Sequence, residues 1–291
     1  MPELAHPGTR GDDPALLLAL RGLRRGLPPA GVRRYKSHAV QRLRSAFFWS
    51  YLAASLVVFW IAVAPIWLLV APFDPQRRFS HWYAITWANH CIRLFGASRI
   101  HIHGRERLLG ERPCVLVANH QSFGDIFVLY ALRTPFKWVA KESVFWVPFL
   151  GWMMAMADYV PVRRGDPHSR VDMLTRCREH LRRGSRILLF PEGTRSRDGQ
   201  LREFRRGAFA LAVEAGVPIV PIVIDGTGAA LPRDGWVFEN LDDLRVDVQV
   251  LDPVEPDATG GDVELLQTRV RELMSAALRD IRGPRAVRPR A

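Results

Sequence analysis

The feature that most constrains the fold is a run of 28 residues without a charged side chain, residues 46–73. At about 1.5 Å per residue an unbroken helix over this run would be about 42 Å long, whereas the hydrocarbon core of a bilayer is roughly 30 Å thick. The run is too long, and begins too late in the chain, for a signal peptide. The sequence therefore predicts a membrane-associated segment.

Charges on both sides of the run predict how it lies in the membrane. Residues 1–45 contain nine Lys or Arg and three Asp or Glu, which favours the cytoplasmic side for this end. Arg77 and Arg78 favour the same side for the far end. Pro65 removes a helix hydrogen bond and can seed a bend. We therefore expect a re-entrant or interfacial helical hairpin over residues 46–96, with a single straight span as the alternative.

After residue 97 the pattern changes to short apolar runs that alternate with amphipathic segments. Residues 114–118 are typical of a buried strand, and residues 169–183 have apolar positions at helical spacing. This alternation favours the α/β fold class, with a single domain whose mostly parallel sheet is flanked by helices and which follows the N-terminal membrane-associated motif. The predicted divisions are a basic arm, the helical hairpin, the α/β domain and a basic tail, at residues 1–45, 46–96, 97–283 and 284–291.

Two further helices are predicted in the domain. Residues 144–157 form one very apolar helix, which is by default a core helix. Our hypothesis is that part of it lines an acyl-chain groove or enters the membrane interface, since it is rich in aromatic and Met residues. A terminal helix is predicted over residues 263–282, begun by Asp262 and stopped by Gly283 and Pro284. Its inward-facing residues are predicted to be Leu266, Val270, Leu273 and Ala277.

Net charge and cysteine spacing limit the classes of partner and cofactor. The formal charge of +12 at pH 7 indicates an anionic partner, either nucleic acid or an acidic membrane surface. No nucleic-acid recognition motif is evident, and the arginines cluster at both chain ends, so we expect no nucleic-acid partner. The three cysteines are far apart and match no metal-binding spacing. We therefore expect a reducing compartment and no metal site.

Residues 119–125 (NHQSFGD) lie between a predicted strand and a predicted helix. Ser122 and Asp125 match a helix-capping pattern, and a cap alone is one interpretation of both. The other is catalytic: a turn brings the Asp125 carboxylate to one imidazole nitrogen of His120. The second nitrogen then takes a proton from a substrate hydroxyl, which attacks a thioester directly. A His and an Asp at this spacing are by themselves a weak signal.

Residues 190–196 (FPEGTRS) follow another predicted strand. Gly193 allows close approach of the backbone to a ligand, while Thr194 and Arg195 offer hydrogen-bond donors suited to phosphate. The downstream arginines at positions 202, 205 and 206 fit solvated surface residues better than ligand-binding ones.

Two looser segments complete the pattern. Residues 158–164 (DYVPVRR) are extended and deliver arginines at their end, and Pro161 indicates an edge strand. Residues 217–222 (VPIVPI) indicate structure rather than chemistry.

In their order along residues 114–225, these four segments resemble those of the glycerolipid acyltransferase family, which includes 1-acylglycerol-3-phosphate acyltransferase. The NHQSFGD and FPEGTRS segments are specific, and the DYVPVRR and VPIVPI segments are loose. The resemblance implies that His120 is the catalytic base and Asp125 its orienting carboxylate. It implies that the substrate's glycerol phosphate is bound by Arg164, Gly193, Thr194 and Arg195, and that Glu192 organises their loop.

The resemblance also implies the reaction and its co-substrates. The expected reaction moves a fatty acyl group from acyl-CoA or acyl-carrier protein to the free hydroxyl of 1-acylglycerol-3-phosphate, without a metal or other cofactor. The expected location is the inner or cytoplasmic membrane, with the active site on its cytoplasmic face. The family often has Gly, Phe and an acidic residue where this chain has Asp158, Pro161 and Arg163, so the lysolipid remains open. The alternatives are another lysolipid acceptor, such as a lyso-ornithine lipid or a lysophospholipid with a larger head group, and a non-catalytic basic membrane-surface protein.

Overall fold

A computed structural model describes residues 38–95, 100–108, 110, 112–233, 235–239 and 244–286. Most of the predicted basic arm and the last five residues of the predicted basic tail lie outside the described residues. Residues 41–291 group as one compact unit, and residues 1–40 as a second unit that the structure describes only from His38 onward.

The N-terminal part of the described chain is a pair of helices, α1 (His38–Val70) and α2 (Arg78–Phe95), joined through a short 3-10 turn (Ala71–Phe73). The contacts between them run in opposite directions along the two helices, since residues further along α1 contact residues nearer the start of α2, so the helices are antiparallel. Trp87 Nε1 donates to Ser55 Oγ at 3.1 Å, and the rings of Phe59 and Tyr83 lie 5.3 Å apart.

Pro65 lies inside α1, so the chain does not turn back at this residue as predicted. A proline removes one hydrogen bond from a helix, and the many remaining bonds of a long helix let it continue past that residue. The chain instead reverses at residues 71–77. The helix also begins at His38, inside the segment assigned to the basic arm.

The segment His38–Phe73 is the one helical segment of the described chain that is long and apolar enough to cross a membrane. This is a statement of length and composition: it has 36 residues, and its most apolar 18-residue window has a mean hydropathy of 2.4. Only 6% of its most apolar window is buried inside the protein, which differs from a core helix of a soluble domain. Leu69 and Phe73 are 75% and 87% exposed.

Seven strands form one sheet in the order β1-β7-β6-β2-β5-β3-β4. They are β1 (Ile100–His103), β2 (Val115–Ala118), β3 (Lys137–Lys141), β4 (Val160–Val162), β5 (Ile187–Leu189), β6 (Ile219–Asp225) and β7 (Val246–Val250). The block from β6 to β4 is parallel throughout, whereas β7 pairs antiparallel with β6 and parallel with β1. The predicted mostly parallel sheet is confirmed, and the carboxyl ends of five strands share one edge.

The remaining helices flank this sheet. They are α3 (Gly124–Tyr130), α4 (Glu142–Phe145), α5 (Leu150–Met156), α6 (Pro167–Arg182), α7 (Gly207–Ala215), α8 (Thr227–Ala230) and α9 (Val263–Ala286). Side chains of β2 alternate between two cores. Leu116 and Ala118 pack with residues of α2 and α3, while Val115 and Val117 pack with residues of α6, α7 and α9. This period of two is what a strand buried on both faces requires.

Two predicted helices differ from the observed ones. Residues 144–157 are not one helix, because Pro148 and the left-handed Phe149 (φ 62°) separate α4 from α5. The terminal helix continues past Gly283 and Pro284 to Ala286, since a proline in the last turn leaves only one hydrogen bond unmade.

One member of the buried apolar stripe of α9 also differs from the prediction. Leu266, Val270 and Ala277 are buried as predicted, but Leu273 is 40% exposed and Met274 is fully buried in its place. Asp262 begins α9 as predicted, because its Oδ1 accepts hydrogen bonds from the backbone N–H groups of the next two helix residues.

Candidate active site

The candidate site lies where the parallel strands β2, β4, β5 and β6 end. Residues 119–123 follow β2, residues 190–206 follow β5, Arg163 and Arg164 follow β4, and α8 follows β6. Parallel strands place their carboxyl ends at one edge, so segments far apart in sequence meet there. Pro161 lies in β4, which is an edge strand as predicted.

His120 and Asp125 are in contact across the turn that enters α3. His120 Nδ1 donates to Asp125 Oδ2 at 2.8 Å, so that in the neutral form of the imidazole the unprotonated nitrogen is Nε2. Nε2 has no hydrogen-bond partner among the residues that the structure describes. The ring stacks on Phe190 with centroids 3.9 Å apart and an interplanar angle of 11°. The imidazole is therefore fixed by its face and by Nδ1, and its Nε2 is available to accept a proton.

Asp125 is fully buried and receives four hydrogen bonds. Besides His120, its Oδ2 accepts from the backbone N–H groups of Gln121 (2.7 Å) and Ser122 (2.9 Å), and its Oδ1 accepts from the Thr227 hydroxyl. An ionised carboxylate accepts hydrogen bonds only and suits four donors. The same group thus shapes the turn and orients the imidazole.

The predicted cap of Ser122 and Asp125 is formed in part. Helix α3 begins one residue later than predicted, with Phe123 at its N-cap position. The Ser122 hydroxyl accepts from Gly124 N at 3.2 Å and Asp125 Oδ2 accepts from Ser122 N, as in a capping pattern, while the same hydroxyl donates to Leu231 O at 2.8 Å. The cap interpretation alone does not account for the contacts of Asp125 with His120 and with Thr227 of another loop.

Glu192 joins the His120 segment to the FPEGTRS segment. It is 4% exposed, and its two oxygens accept from His120 N at 3.1 Å and Arg202 N at 3.3 Å. Burial raises the pKa of Glu192 to about 7, against the lowering effect of these two hydrogen bonds. Ser196 N donates to His120 O at 2.7 Å and holds the same two segments together.

Gly193 has a left-handed backbone (φ 68°), which glycine adopts without steric cost. Its N–H donates to Phe190 O at 3.0 Å and closes a turn. A Cβ at this position would lie 2.5 Å from Arg205 Nε, so glycine also allows the guanidinium to lie against the loop.

Four arginines from three loops are within electrostatic reach of one another: Arg164, Arg195, Arg205 and Arg233. Burial lowers the pKa of Arg164, and the positive charges of the other three lower it further. Among the described residues, the side chains of Arg164, Arg195 and Arg205 have no hydrogen-bond or carboxylate partner. Like charges gathered without a counter-ion are unfavourable, and a bound phosphate would relieve them.

The other residues near this cluster differ in their bonding. Thr194 lies in the same loop, and its hydroxyl has no partner within the described part of the chain. Arg233 Nη1 donates to Arg195 O at 3.1 Å. Arg163 faces elsewhere, because its guanidinium is paired with Glu142 at 2.9 and 3.1 Å.

Several residues of the site were missed by the sequence patterns. Arg205, interpreted as solvated surface, belongs to the arginine cluster, and Arg233 and Thr227 carried no recognisable signal. Asn119 was inside a recognised segment, but its role depends on β6: its side chain accepts from Ile224 N at 2.7 Å and donates to Ile224 O at 2.8 Å.

Metal-ligating groups are scarce in the described chain. Over the described residues no group of three or more His, Cys, Asp or Glu is arranged to hold a metal ion. The three cysteines are free and buried. The expected absence of a metal or other cofactor stays a prediction.

Known acyltransferases are similar to this chain in sequence. The profile of the Acyltransferase family matches residues 99–225. A chloroplastic 1-acyl-sn-glycerol-3-phosphate acyltransferase of Arabidopsis thaliana is 43% identical over 210 residues, which are 70% of this chain and 58% of that protein. The 1-acyl-sn-glycerol-3-phosphate acyltransferase of Pseudomonas aeruginosa is 33% identical over 68% of this chain and 76% of its own length. The Saccharomyces cerevisiae enzyme of that name is 30% identical over 80% and 79%.

The fold has a solved counterpart as well. The crystal structure of the 1-acyl-sn-glycerophosphate acyltransferase PlsC of Thermotoga maritima matches with a TM-score of 0.68, over 83% of this chain and 98% of that one. At 24% identity this likeness concerns the fold. The chain spans little more than half the length of the plant relatives, 58% in the Arabidopsis protein.

Proposed function

We propose that this chain, which belongs to the acyltransferase family that includes the 1-acyl-sn-glycerol-3-phosphate acyltransferases, acylates the free hydroxyl of 1-acylglycerol-3-phosphate to give phosphatidic acid in phospholipid synthesis. One observation carries the proposal. A His–Asp pair with a free imidazole nitrogen lies at the same sheet edge as the arginine cluster, in which Arg164, Arg195 and Arg205 have no carboxylate partner among the described residues.

His120 acts as the general base. Its Nε2 takes the proton of the acceptor hydroxyl while the hydroxyl oxygen attacks the thioester carbonyl carbon. Asp125 holds the imidazole in the required tautomer and stabilises the imidazolium that forms. When the tetrahedral intermediate collapses, the carbon–sulfur bond breaks and the imidazolium returns the proton to the leaving thiolate. The products are the ester and a free thiol, without an acyl-enzyme.

The arginine cluster anchors the acceptor through its phosphate. Arg164 and Arg195, with Arg205, supply charged donors that bind a phosphate more strongly than neutral donors would. Gly193 and Thr194 shape the loop around it, and Glu192 fixes that loop to the backbone of His120. Anchoring the acceptor in this way positions its hydroxyl at Nε2.

The co-substrate is a fatty acyl thioester of CoA or acyl-carrier protein, with no further cofactor. The protein acts at the inner or cytoplasmic membrane, with its active site on the cytoplasmic face. The long, exposed, apolar segment His38–Phe73 supports the membrane location. Arg77 and Arg78 at its far end support the cytoplasmic side.

The arginine cluster also favours lysophosphatidate over a lyso-ornithine lipid, which has no phosphate. The test is to supply labelled acyl-CoA with lysophosphatidate, lysophosphatidylcholine and lyso-ornithine lipid in separate reactions, and to identify each product. We expect phosphatidic acid as the main product. Equal or faster acylation of the other two acceptors, or no thioester consumption with any of them, would overturn the proposal.

Two neighbouring arginines provide a matched test of the anchor. Arg164→Gln removes a charge from the cluster and should raise the KM for lysophosphatidate about ten-fold, the cost of one charged hydrogen bond. Arg163→Gln removes the same charge one residue away, from a guanidinium that Glu142 already neutralises, and should leave KM within about two-fold. Equal effects of the two substitutions would contradict the assignment.

A further inference from the structure

A cavity of about 270 Å³ lies at the edge of the sheet opposite to His120. Its walls come from the segments that lead into β2, β3 and β5 and from the first residues of α2. The candidate active site follows the carboxyl ends of β2 and β5, two of the same strands. The length of the strands therefore separates the two, roughly 13 Å for the four residues of β2 at about 3.3 Å per residue.

Four cationic side chains line this cavity: Arg78, Arg133, Lys137 and Arg186. Among the described residues that line it, none is acidic. A concave site with one sign of charge focuses the electrostatic potential and attracts an ion of the opposite sign.

The two inner cations are held by neutral acceptors. Lys137 is 3% exposed, and its Nζ donates to the carbonyl oxygens of Gln76 and Ala157, both at 2.7 Å. Arg186 is also buried and donates to the Gly110 carbonyl. Carbonyl oxygens position these side chains without neutralising their charge.

The carboxylates nearest to Lys137 are engaged elsewhere. Asp74 caps α2, because its oxygens accept from the backbone N–H groups of Arg78 at 2.9 Å and Phe79 at 2.8 Å. Asp158 forms an ion pair with Arg176 at 3.2 Å. The positive charge of the cavity wall is therefore only partly offset.

Arg133 lies at the outer part of the cavity, and its backbone conformation is strained. Its φ of 52° is left-handed, a conformation that costs a non-glycine residue about 1–2 kcal/mol. The side chain is exposed and has no partner among the described residues. Strained residues are retained where the surrounding structure holds them, often at ligand sites.

The surroundings of the cavity are apolar and exposed. Trp82 lines it and is 43% exposed. Phe73, three residues before Gln76 of the cavity wall, is 87% exposed at the end of the apolar segment. A tryptophan and arginines beside an exposed apolar helix are typical of the membrane–water interface.

We propose that this cavity binds the phosphate headgroup of an anionic phospholipid, as a second lipid site distinct from the active site. The volume suits a headgroup rather than an acyl chain. The four cations bind the phosphate, and the acyl chains extend along Trp82 toward the exposed end of α1. The inference does not depend on the proposed reaction.

The test is native mass spectrometry of the full chain in a non-ionic detergent, titrated with phosphatidylglycerol. The cavity variant is Arg78→Gln with Arg133→Gln, and the matched control is Arg269→Gln with Arg271→Gln, two exposed arginines on α9. We expect half-maximal binding by the cavity variant to need about ten-fold more lipid, the loss of about one charged contact. The control should match the wild type, and Arg133→Lys should retain binding.

Three results would overturn the proposal. Equal weakening in both double variants would show general charge attraction to the lipid. Equal binding of phosphatidylcholine would show that the anionic headgroup is not recognised. Displacement of phosphatidylglycerol by inorganic phosphate at equal concentration would assign the cavity to a soluble phosphate. Normal acylation of lysophosphatidate by the cavity variant would show that its fold and active site are intact.

Discussion

At the scale of single residues, two buried carboxylates serve the site in different ways. Asp125 accepts four hydrogen bonds, one of them from the His120 imidazole, whereas Glu192 accepts only two, both from backbone N–H groups. Burial therefore dominates at Glu192 and raises its pKa to about 7. Its function is to hold one loop against the other, and holding a charge there has an energetic cost near neutral pH.

This cost gives a pH-dependent prediction for Glu192→Gln. The pKa of Glu192 is about 7 in the folded chain, whereas the ordinary value of a glutamate, taken for the unfolded chain, is 4.5. Between pH 4.5 and pH 7 the folded chain therefore binds more protons than the unfolded chain. The free energy of unfolding of the wild type should thus fall relative to that of the variant as pH rises from about 5 to about 7.5. Denaturant unfolding across this range measures the difference. The exposed Glu203→Gln should show no such trend, and a constant difference for Glu192→Gln would contradict the pKa shift.

The residues that could be predicted from the sequence are those whose contact is local. His120 and Asp125 are five positions apart across one turn, so their contact follows from chain geometry. Arg205, Arg233 and Thr227 reach the site only through the packing of separate loops. No spacing rule could have placed them there.

At the scale of elements, the backbone conformation of the loop after β5 determines where the Arg205 side chain lies in the candidate site. Gly193 turns this loop with a positive φ, and the Arg205 guanidinium fills the space that a Cβ would take.

The errors in the predicted helices concern prolines inside or near the end of a long helix. Pro65 and Pro284 were treated as breaks, but long helices retain enough hydrogen bonds to continue through a proline.

A substitution at Gly193 separates backbone strain from contact with Arg205. Gly193→Ala should raise the KM for lysophosphatidate several-fold, because the new methyl group displaces the guanidinium from the phosphate site. Gly216→Ala is the matched control, since Gly216 has φ 60° and no atom within 4 Å of the new Cβ. Both should lose about 1 kcal/mol of stability. Steady-state kinetics with an unchanged KM for Gly193→Ala would contradict this role for the glycine.

At the scale of the whole molecule, the parallel block of five strands brings the His120–Asp125 pair and the arginine cluster to one edge. Alternation of strands and helices was readable from the sequence, and the predicted fold class is confirmed. Strand order was not readable, because it depends on long-range pairing: β7 returns antiparallel beside β6, while β1, first in sequence, joins the sheet next to β7.

The exposed apolar segment His38–Phe73 and the cation-lined cavity also belong to this scale. Composition was sufficient to predict the segment, because a long uncharged apolar run is rarely found in a water-soluble domain and is typical of a membrane segment. The cavity could not be predicted, since its four cations come from separate connections that meet only when the sheet is assembled.

The central claim is that the His120 imidazole deprotonates an alcohol that the arginine cluster has anchored by its phosphate. Its most direct test is the single-turnover rate of ester formation from acyl-CoA and saturating lysophosphatidate. His120→Asn should slow this rate by about 10²–10⁴-fold, the usual contribution of a general base, with an unchanged unfolding midpoint. His168→Asn, a change at an exposed histidine of α6, should have no effect. A folded His120→Asn protein with a rate within a few-fold of the wild type would contradict the account.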